Sequence, residues 1–178
     1  MLHHDEQVKF VLFGIDLVCI GILGDGSCFL HCILKALYGQ EYLNYSVEQR
    51  LVFAKQIRQI LGNNLTIDVY TKLGNGNIAS LYDYTTFKNH LMSSNWIGDE
   101  SIEYISNTFD VDILIVTSDG LYNIGYNDLL IKCRPTIIVN YVENKHYELI
   151  GMEKDGNIQI KFKSDDVIVK RLKKEIQK

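Results

Sequence analysis

The chain has no uninterrupted apolar run near the roughly 20 residues that a membrane-crossing helix requires, which argues against a transmembrane anchor. Val11-Leu12-Phe13 and Val18-Cys19-Ile20 are apolar, but Asp5, Glu6 and Asp16 interrupt that region, with no basic leader before it and no small-residue cleavage site after it. Secretion is therefore not expected. Cysteine is scarce, with Cys19, Cys28, Cys32 and Cys133 the only four. Their spacing is not that of a disulfide scaffold, and free thiols fit a reducing, cytoplasmic compartment. Cys28, His31 and Cys32 could ligate a metal only with a fourth ligand from elsewhere, and no Cys-x-x-Cys pair exists; no metal or other cofactor is expected. Internal repeats and low-complexity segments are also absent.

What remains is 178 residues and 20.5 kDa, 47% hydrophobic and 22% charged, enough for one well-packed domain and too little for two. The expected domain spans 1–178, with a core over about 8–163 and a basic terminal helix over 164–178. The formal charge is −4, yet residues 161–178 carry seven Lys/Arg against three Asp/Glu, a surplus of +4, so the rest of the chain is near −8. An acidic body argues against nucleic acid as the main partner and suits a basic peptide.

Residues 8–13 and 17–23, separated by Gly14, read as a strand or hairpin. From Cys28 to Tyr38, Phe29, Ile33, Ala36 and Leu37 recur at helical spacing, and Gly39 supplies a stop. A second helix opens with a capping-box pattern at Ser46 and Gln49, lines one face with Val47, Leu51, Ala54, Ile57 and Leu61, and is expected to end at Gly62. The segment 74–79 reads as a mobile loop. Helical stretches follow over 84–92 and 99–109, then strands at 111–117, 136–141, 147–152 and 158–162. Asp155-Gly156-Asn157 signals a hairpin between the last two strands. Residues 165–176 form a charged amphipathic helix. Helices first and then mainly consecutive strands imply an α+β fold, a central sheet flanked by helices.

The chemistry centres on Gly24-Asp25-Gly26-Ser27-Cys28, a glycine-flanked turn that delivers a cysteine to the first turn of a helix. Unpaired N–H groups at a helix start lower a thiol's pKa and can later hold an oxyanion. Among five histidines, His146 is the best base, because it begins an alternating, strand-like run. On an extended strand His146 and Glu148 share a face, so the carboxylate could orient the imidazole; Asn140 on the preceding strand is a second candidate for that role. Asp25 can pin the turn through backbone N–H groups, leaving the Gly26 and Cys28 amides to face an oxyanion. Cysteine early and histidine late suggest a thiol hydrolase.

At these residues the sequence resembles the ovarian tumour (OTU) family of papain-like cysteine proteases, which cleave ubiquitin from proteins and from other ubiquitins. Asp25-Gly26-Ser27-Cys28-Phe29-Leu30 fits the family's Asp-Gly-Asn-Cys pattern, with Ser27 in place of Asn. Trp96-Ile97-Gly98-Asp99-Glu100 fits a central Trp/Gly pattern, and His146-Tyr147-Glu148 fits His-aromatic-acidic. The resemblance runs over about residues 20 to 152 in the right order. It implies a papain-like OTU fold with a mainly antiparallel sheet, Cys28 as nucleophile, His146 as general base, and Asp25 in the active-site turn. It also implies ubiquitin or a ubiquitin-like modifier, with its conjugates, as partner, and a cofactor-free thiol isopeptidase mechanism. An acidic rim for ubiquitin's basic tail would draw on Asp99, Glu100 and Glu143.

The alternative is an OTU-fold module that binds ubiquitin or a ubiquitin-like protein without cutting it; an intact Cys28/His146 pair favours the enzyme. Richness in Ile, Asn, Lys and Tyr resembles proteases of large DNA viruses or intracellular bacteria, for which the location would be the host cytoplasm. Cys19, Cys32 and Cys133 read as buried core residues, Trp96 as a core anchor, and His31 and His90 as helix-surface or hydrogen-bonding residues.

Overall fold

A computed structural model describes residues 1–117, 120–122 and 132–176. Strands β1 (Gln7–Leu12) and β2 (Ile15–Ile20) form the expected hairpin. Its two turn residues, Phe13 and Gly14, both take positive φ (51° and 75°), the twist that a two-residue connection between antiparallel strands favours. Helix α1 (Cys28–Tyr38) stops at Gly39, whose φ of 51° suits a residue without Cβ. After α2 (Gln40–Asn44), helix α3 (Val47–Asn64) begins in a complete Ser46/Gln49 capping box.

Two expectations for α3 are corrected. The helix does not stop at Gly62 but continues to Asn64, because Gly62 is where Met92 packs; a Cβ there would run into the Met92 side chain. Its buried stripe is Arg50, Ala54, Arg58 and Leu61, while Leu51 is exposed. Ala54 and Leu61 of the expected face are buried and Ile57 packs against the core, but apolar periodicity misses the two arginines that share the stripe.

Short helices α4 (Ile67–Tyr70) and α5 (Asn77–Leu81) flank a 3-10 turn over Leu73–Gly76, where a mobile loop was expected. The glycine- and asparagine-rich segment supplies the left-handed positions Gly74, Asn75 and Gly76, and Glu103 accepts the Gly74 N–H at 2.5 Å. Helix α6 (Tyr84–Met92) follows, then a 3-10 turn at Asp99–Ser101 and α7 (Ile102–Thr108).

The remaining strands are β3 (Asp112–Thr117), β4 (Gly120–Tyr122), β5 (Thr136–Val142), β6 (His146–Lys154) and β7 (Asn157–Gln159). β7 is shorter than expected, and Phe162 makes only an isolated bridge to Thr136. Helix α8 (Val167–Ile176) ends the described chain; residues 177–178 of the expected terminal helix lie outside the described residues.

The sheet runs β1-β2-β6-β5-β3-β4, with β7 on β6. Among the described residues only β3 and β5 pair in parallel, so the sheet is mainly antiparallel, as expected. One face packs Ile137, Val139, Tyr147 and Leu149 against α1, and the other packs Leu17, Val116, Ile138 and Ile150 against Ile168, Val169 and Leu172 of α8. Among the described residues, no helix is long and apolar enough to cross a membrane. Cys19 and Cys32 are buried, whereas Cys133 is exposed at a bend, contrary to expectation.

Candidate active site

The turn before α1 is tied together from within. Asp25 Oδ1 accepts the Ser27 N–H at 2.8 Å, an Asx-type turn that places Cys28 at the first helical position. The other carboxylate oxygen lies 3.3 Å from Nε2 of His31, whose Nδ1 is 2.6 Å from the Tyr42 hydroxyl. His31 is wholly buried, which settles it as a hydrogen-bonding residue beneath the turn. Burial pushes the Asp25 carboxyl up, but His31, the Ser27 N–H and the Arg58 charge together hold it below its ordinary value.

The turn is also gripped from outside by Arg58, which sequence reasoning missed. This side chain is 1% exposed and donates to the Gly26 carbonyl (3.0 Å), Ser27 Oγ (3.1 Å), the Leu91 carbonyl (2.8 Å) and the His90 carbonyl (2.9 Å). A guanidinium spreads several donors in one plane, so one residue joins the turn to the end of α6. Ile97 N–H donates to the Gly26 carbonyl at 3.0 Å, and His90 Nε2 meets the Trp96 carbonyl at 2.8 Å. Gly26 has no room for a side chain, since a Cβ would meet the Ser94 carbonyl.

Cys28 is 1% exposed, and His146, the first residue of β6, is 3% exposed. The Tyr147 main-chain N–H acts on the Cys28 thiol, so the sulfur lies against the His146–Tyr147 peptide. Burial pushes the thiol above its ordinary 9.0, outweighing the thiolate-favouring Tyr147 and Phe29 N–H groups. The helix-start N–H of Phe29 favours the thiolate, as expected, but burial outweighs it. The Cys28 N–H is likewise not free, as it donates to the Asp25 carbonyl at 3.3 Å; the Gly26 N–H carries no hydrogen bond among the described residues. Burial lowers His146 below its ordinary 6.5, opposed by the Glu148 charge and aided by the Met1 ammonium, and among the described residues its buried Nε2 has no hydrogen-bond partner. Both shifts favour the uncharged forms, thiol at Cys28 and imidazole at His146.

Glu148 and Asn140 are direct cross-strand partners on β6 and β5, and Asn140 Nδ2 lies 3.4 Å from Glu148 Oε2. Glu148 also accepts the Cys19 thiol at 3.0 Å and the Leu2 N–H at 2.7 Å. It acts on His146 by charge, with no hydrogen bond between them. Tyr147 stacks on both Trp96 (5.8 Å, 9°) and Tyr141 (4.8 Å, 28°), which lie 6.1 Å from each other, so the three rings form a triangular cluster, and the Tyr147 hydroxyl donates to Asp99 at 3.1 Å. Of the acidic-rim residues, Asp99 is therefore engaged by Tyr147, Glu100 lies 3.5 Å from His90, and Glu143 pairs with Lys145 at 3.1 Å. Among the described residues, no group of three or more His, Cys, Asp or Glu is arranged to hold a metal ion.

No protein-family model and no curated protein matches the sequence. Solved structures do match. The chain is similar to an ovarian tumour (OTU) domain solved in complex with ubiquitin, over 99% of this chain and 93% of the other, at 18% identity and a TM-score of 0.62. The Hazara virus OTU, solved bound to ubiquitin, aligns over 83% of this chain and 88% of its own at 11% identity, with a TM-score of 0.53. The OTUD1 OTU domain aligns over 75% and 85% at 17% identity, with a TM-score of 0.51. The fold is the OTU fold.

Proposed function

We propose that this chain is a thiol-dependent ubiquitin isopeptidase working in the cytoplasm, the host's cytoplasm if a virus or intracellular bacterium makes it. The reading rests chiefly on the packing of α1, which opens with Cys28, against β6, which opens with His146, with Cys28 and Tyr147 in one core. Two OTU neighbours solved with ubiquitin favour that protein, or a relative of it, as the partner.

In the proposed reaction His146 takes the Cys28 proton as the sulfur attacks the carbonyl of ubiquitin's C-terminal glycine. The Gly26 amide faces the developing oxyanion, joined by the Cys28 amide once its long bond to the Asp25 carbonyl is exchanged. Imidazolium, steadied by the Glu148 charge, gives its proton to the departing lysine amine. Water then hydrolyses the thioester with His146 again as base.

A second reading, an OTU-fold module that binds ubiquitin without cutting it, is favoured by one observation: Cys28 and His146 are both buried and both biased to their neutral forms. Ubiquitin bearing a C-terminal thiol-reactive group separates the two. Wild-type protein is expected to gain the mass of one ubiquitin and Cys28→Ala none. Tight binding without an adduct in the folded wild type would establish the module instead.

A further inference from the structure

Residues 1–6 are bound to the body of the fold at several independent points. Asp5 N–H donates to the Gly21 carbonyl at 2.9 Å, and Gly21 N–H donates to the Glu6 carbonyl at 2.8 Å. The segment passes so close to β2 that a Cβ on Gly21 would run into the His3 carbonyl. The Asp5 carboxylate bridges Lys35 Nζ at 2.5 Å and Arg50 Nη1 at 2.8 Å. These cations, on α1 and α3, are only 5% and 6% exposed, and among the described residues no other acid pairs with either.

The far end of this segment reaches the candidate active site. Leu2 N–H donates to Glu148 Oε1 at 2.7 Å, the shortest of the three bonds to that carboxylate. The other two donors are a thiol, which is weak, and a side-chain amide at 3.4 Å. Glu148 is 3% exposed, and beside it lies a cavity of about 390 Å³ lined by Leu2, Cys19, Asn140 and Val142. Without Leu2 in place, that cavity opens and gives the carboxylate both water and room to turn.

We infer that residues 1–6 are a positioning segment of the active site: the Leu2 amide fixes Glu148, and the Asp5 ion pairs hold Leu2 in register. The inference rests on the proposed reaction only in assigning Glu148 to support His146. It makes the N-terminal segment part of the catalytic apparatus, joined through Glu148 to a base more than 140 residues away along the chain.

The test uses the full chain with Asp5→Ala, its conservative counterpart Asp5→Glu, and Gly21→Ala, which displaces the segment without altering the Asp5, Lys35 or Arg50 side chains. On a ubiquitin–lysine isopeptide substrate, Asp5→Ala and Gly21→Ala are expected to lower kcat roughly 10- to 100-fold with KM nearly unchanged, and Asp5→Glu to recover much of the loss. Folded variants with wild-type kcat would overturn the inference. Should the wild type cut no ubiquitin conjugate, the isopeptidase reading fails on its own, and the positioning claim is read from the NMR titration of His146. The Met1 ammonium also lowers the His146 midpoint, while Asp25 and Glu143 raise it, so the titration is run on N-terminally acetylated protein, where loss of a fixed Glu148 charge moves the midpoint down in Asp5→Ala and Gly21→Ala but not in Asp5→Glu. An unchanged midpoint, or an upward one from simple uncovering of the ring, would overturn the positioning role.

Discussion

At Cys28 two effects oppose each other. The helix start and the Tyr147 N–H favour thiolate, while burial to 1% exposure favours thiol, and burial prevails. His146 leans the same way, with burial depressing its pKa against the Glu148 charge. In the proposed reaction, proton transfer would then accompany attack instead of preceding it. Below the imidazole pKa the base is protonated and turnover stops, so the acid limb of kcat/KM should fall below the ordinary 6.5. Above it the base is ready, while the thiol remains protonated past 9.0. Alkylation of Cys28 by iodoacetamide should then climb about tenfold per pH unit from about pH 7 upward, following the thiolate fraction. A flat alkylation rate between about pH 5 and pH 8 would reveal a preformed thiolate–imidazolium pair and sink the neutral-pair account.

Among elements, α3 contributes most to the site without supplying a reacting group. Arg58→Ala leaves the Gly26, His90 and Leu91 carbonyls without their shared donor in a buried setting, a loss of roughly 3 kcal/mol or more. The urea midpoint should fall accordingly, and the ubiquitin adduct should form roughly tenfold more slowly even where the protein stays folded. Arg58→Lys, with one ammonium in place of a planar fork, should recover only part of both. Equal adduct rates in Arg58→Ala and wild type would make the clamp a stability device alone. The same helix marks how far the sequence can be read. Its start was legible because Ser46 and Gln49 satisfy each other locally, and the Cys28 turn and the β6 histidine were legible for the same reason. Its end and buried face were not, because Met92, Leu91 and the Gly26 turn that select Gly62 and Arg58 come from distant parts of the chain. Asp25 was legible as a turn residue, whereas its buried His31–Tyr42 support depends on how α2 packs beneath α1.

Across the whole molecule, the sheet separates two apolar layers with different duties. The α1 layer carries Cys28 and the Trp96, Tyr147 and Tyr141 ring cluster, while the opposite layer, closed by α8, buries Ile138, Ile150 and Phe162 with no reacting group among its core residues. Helix α8 reads from composition as a basic, solvated element, yet Ile168, Val169 and Leu172 are at most 1% exposed, so its charges decorate the outside of a core helix. Leu172→Ala should therefore cost about 2–5 kcal/mol, from lost transfer energy plus the cavity left against the sheet. Because His146 and Glu148 sit on the strand that α8 supports at Ile150, stability and chemistry could be coupled through β6. The stiffness of a packed sheet argues that they are not. Urea unfolding of Leu172→Ala beside its rate of ubiquitin adduct formation at 25 °C decides this. A lowered midpoint with an unchanged rate assigns the two layers separate roles, and a rate that falls with stability would show that the α8 layer sets the geometry of the β6 pair.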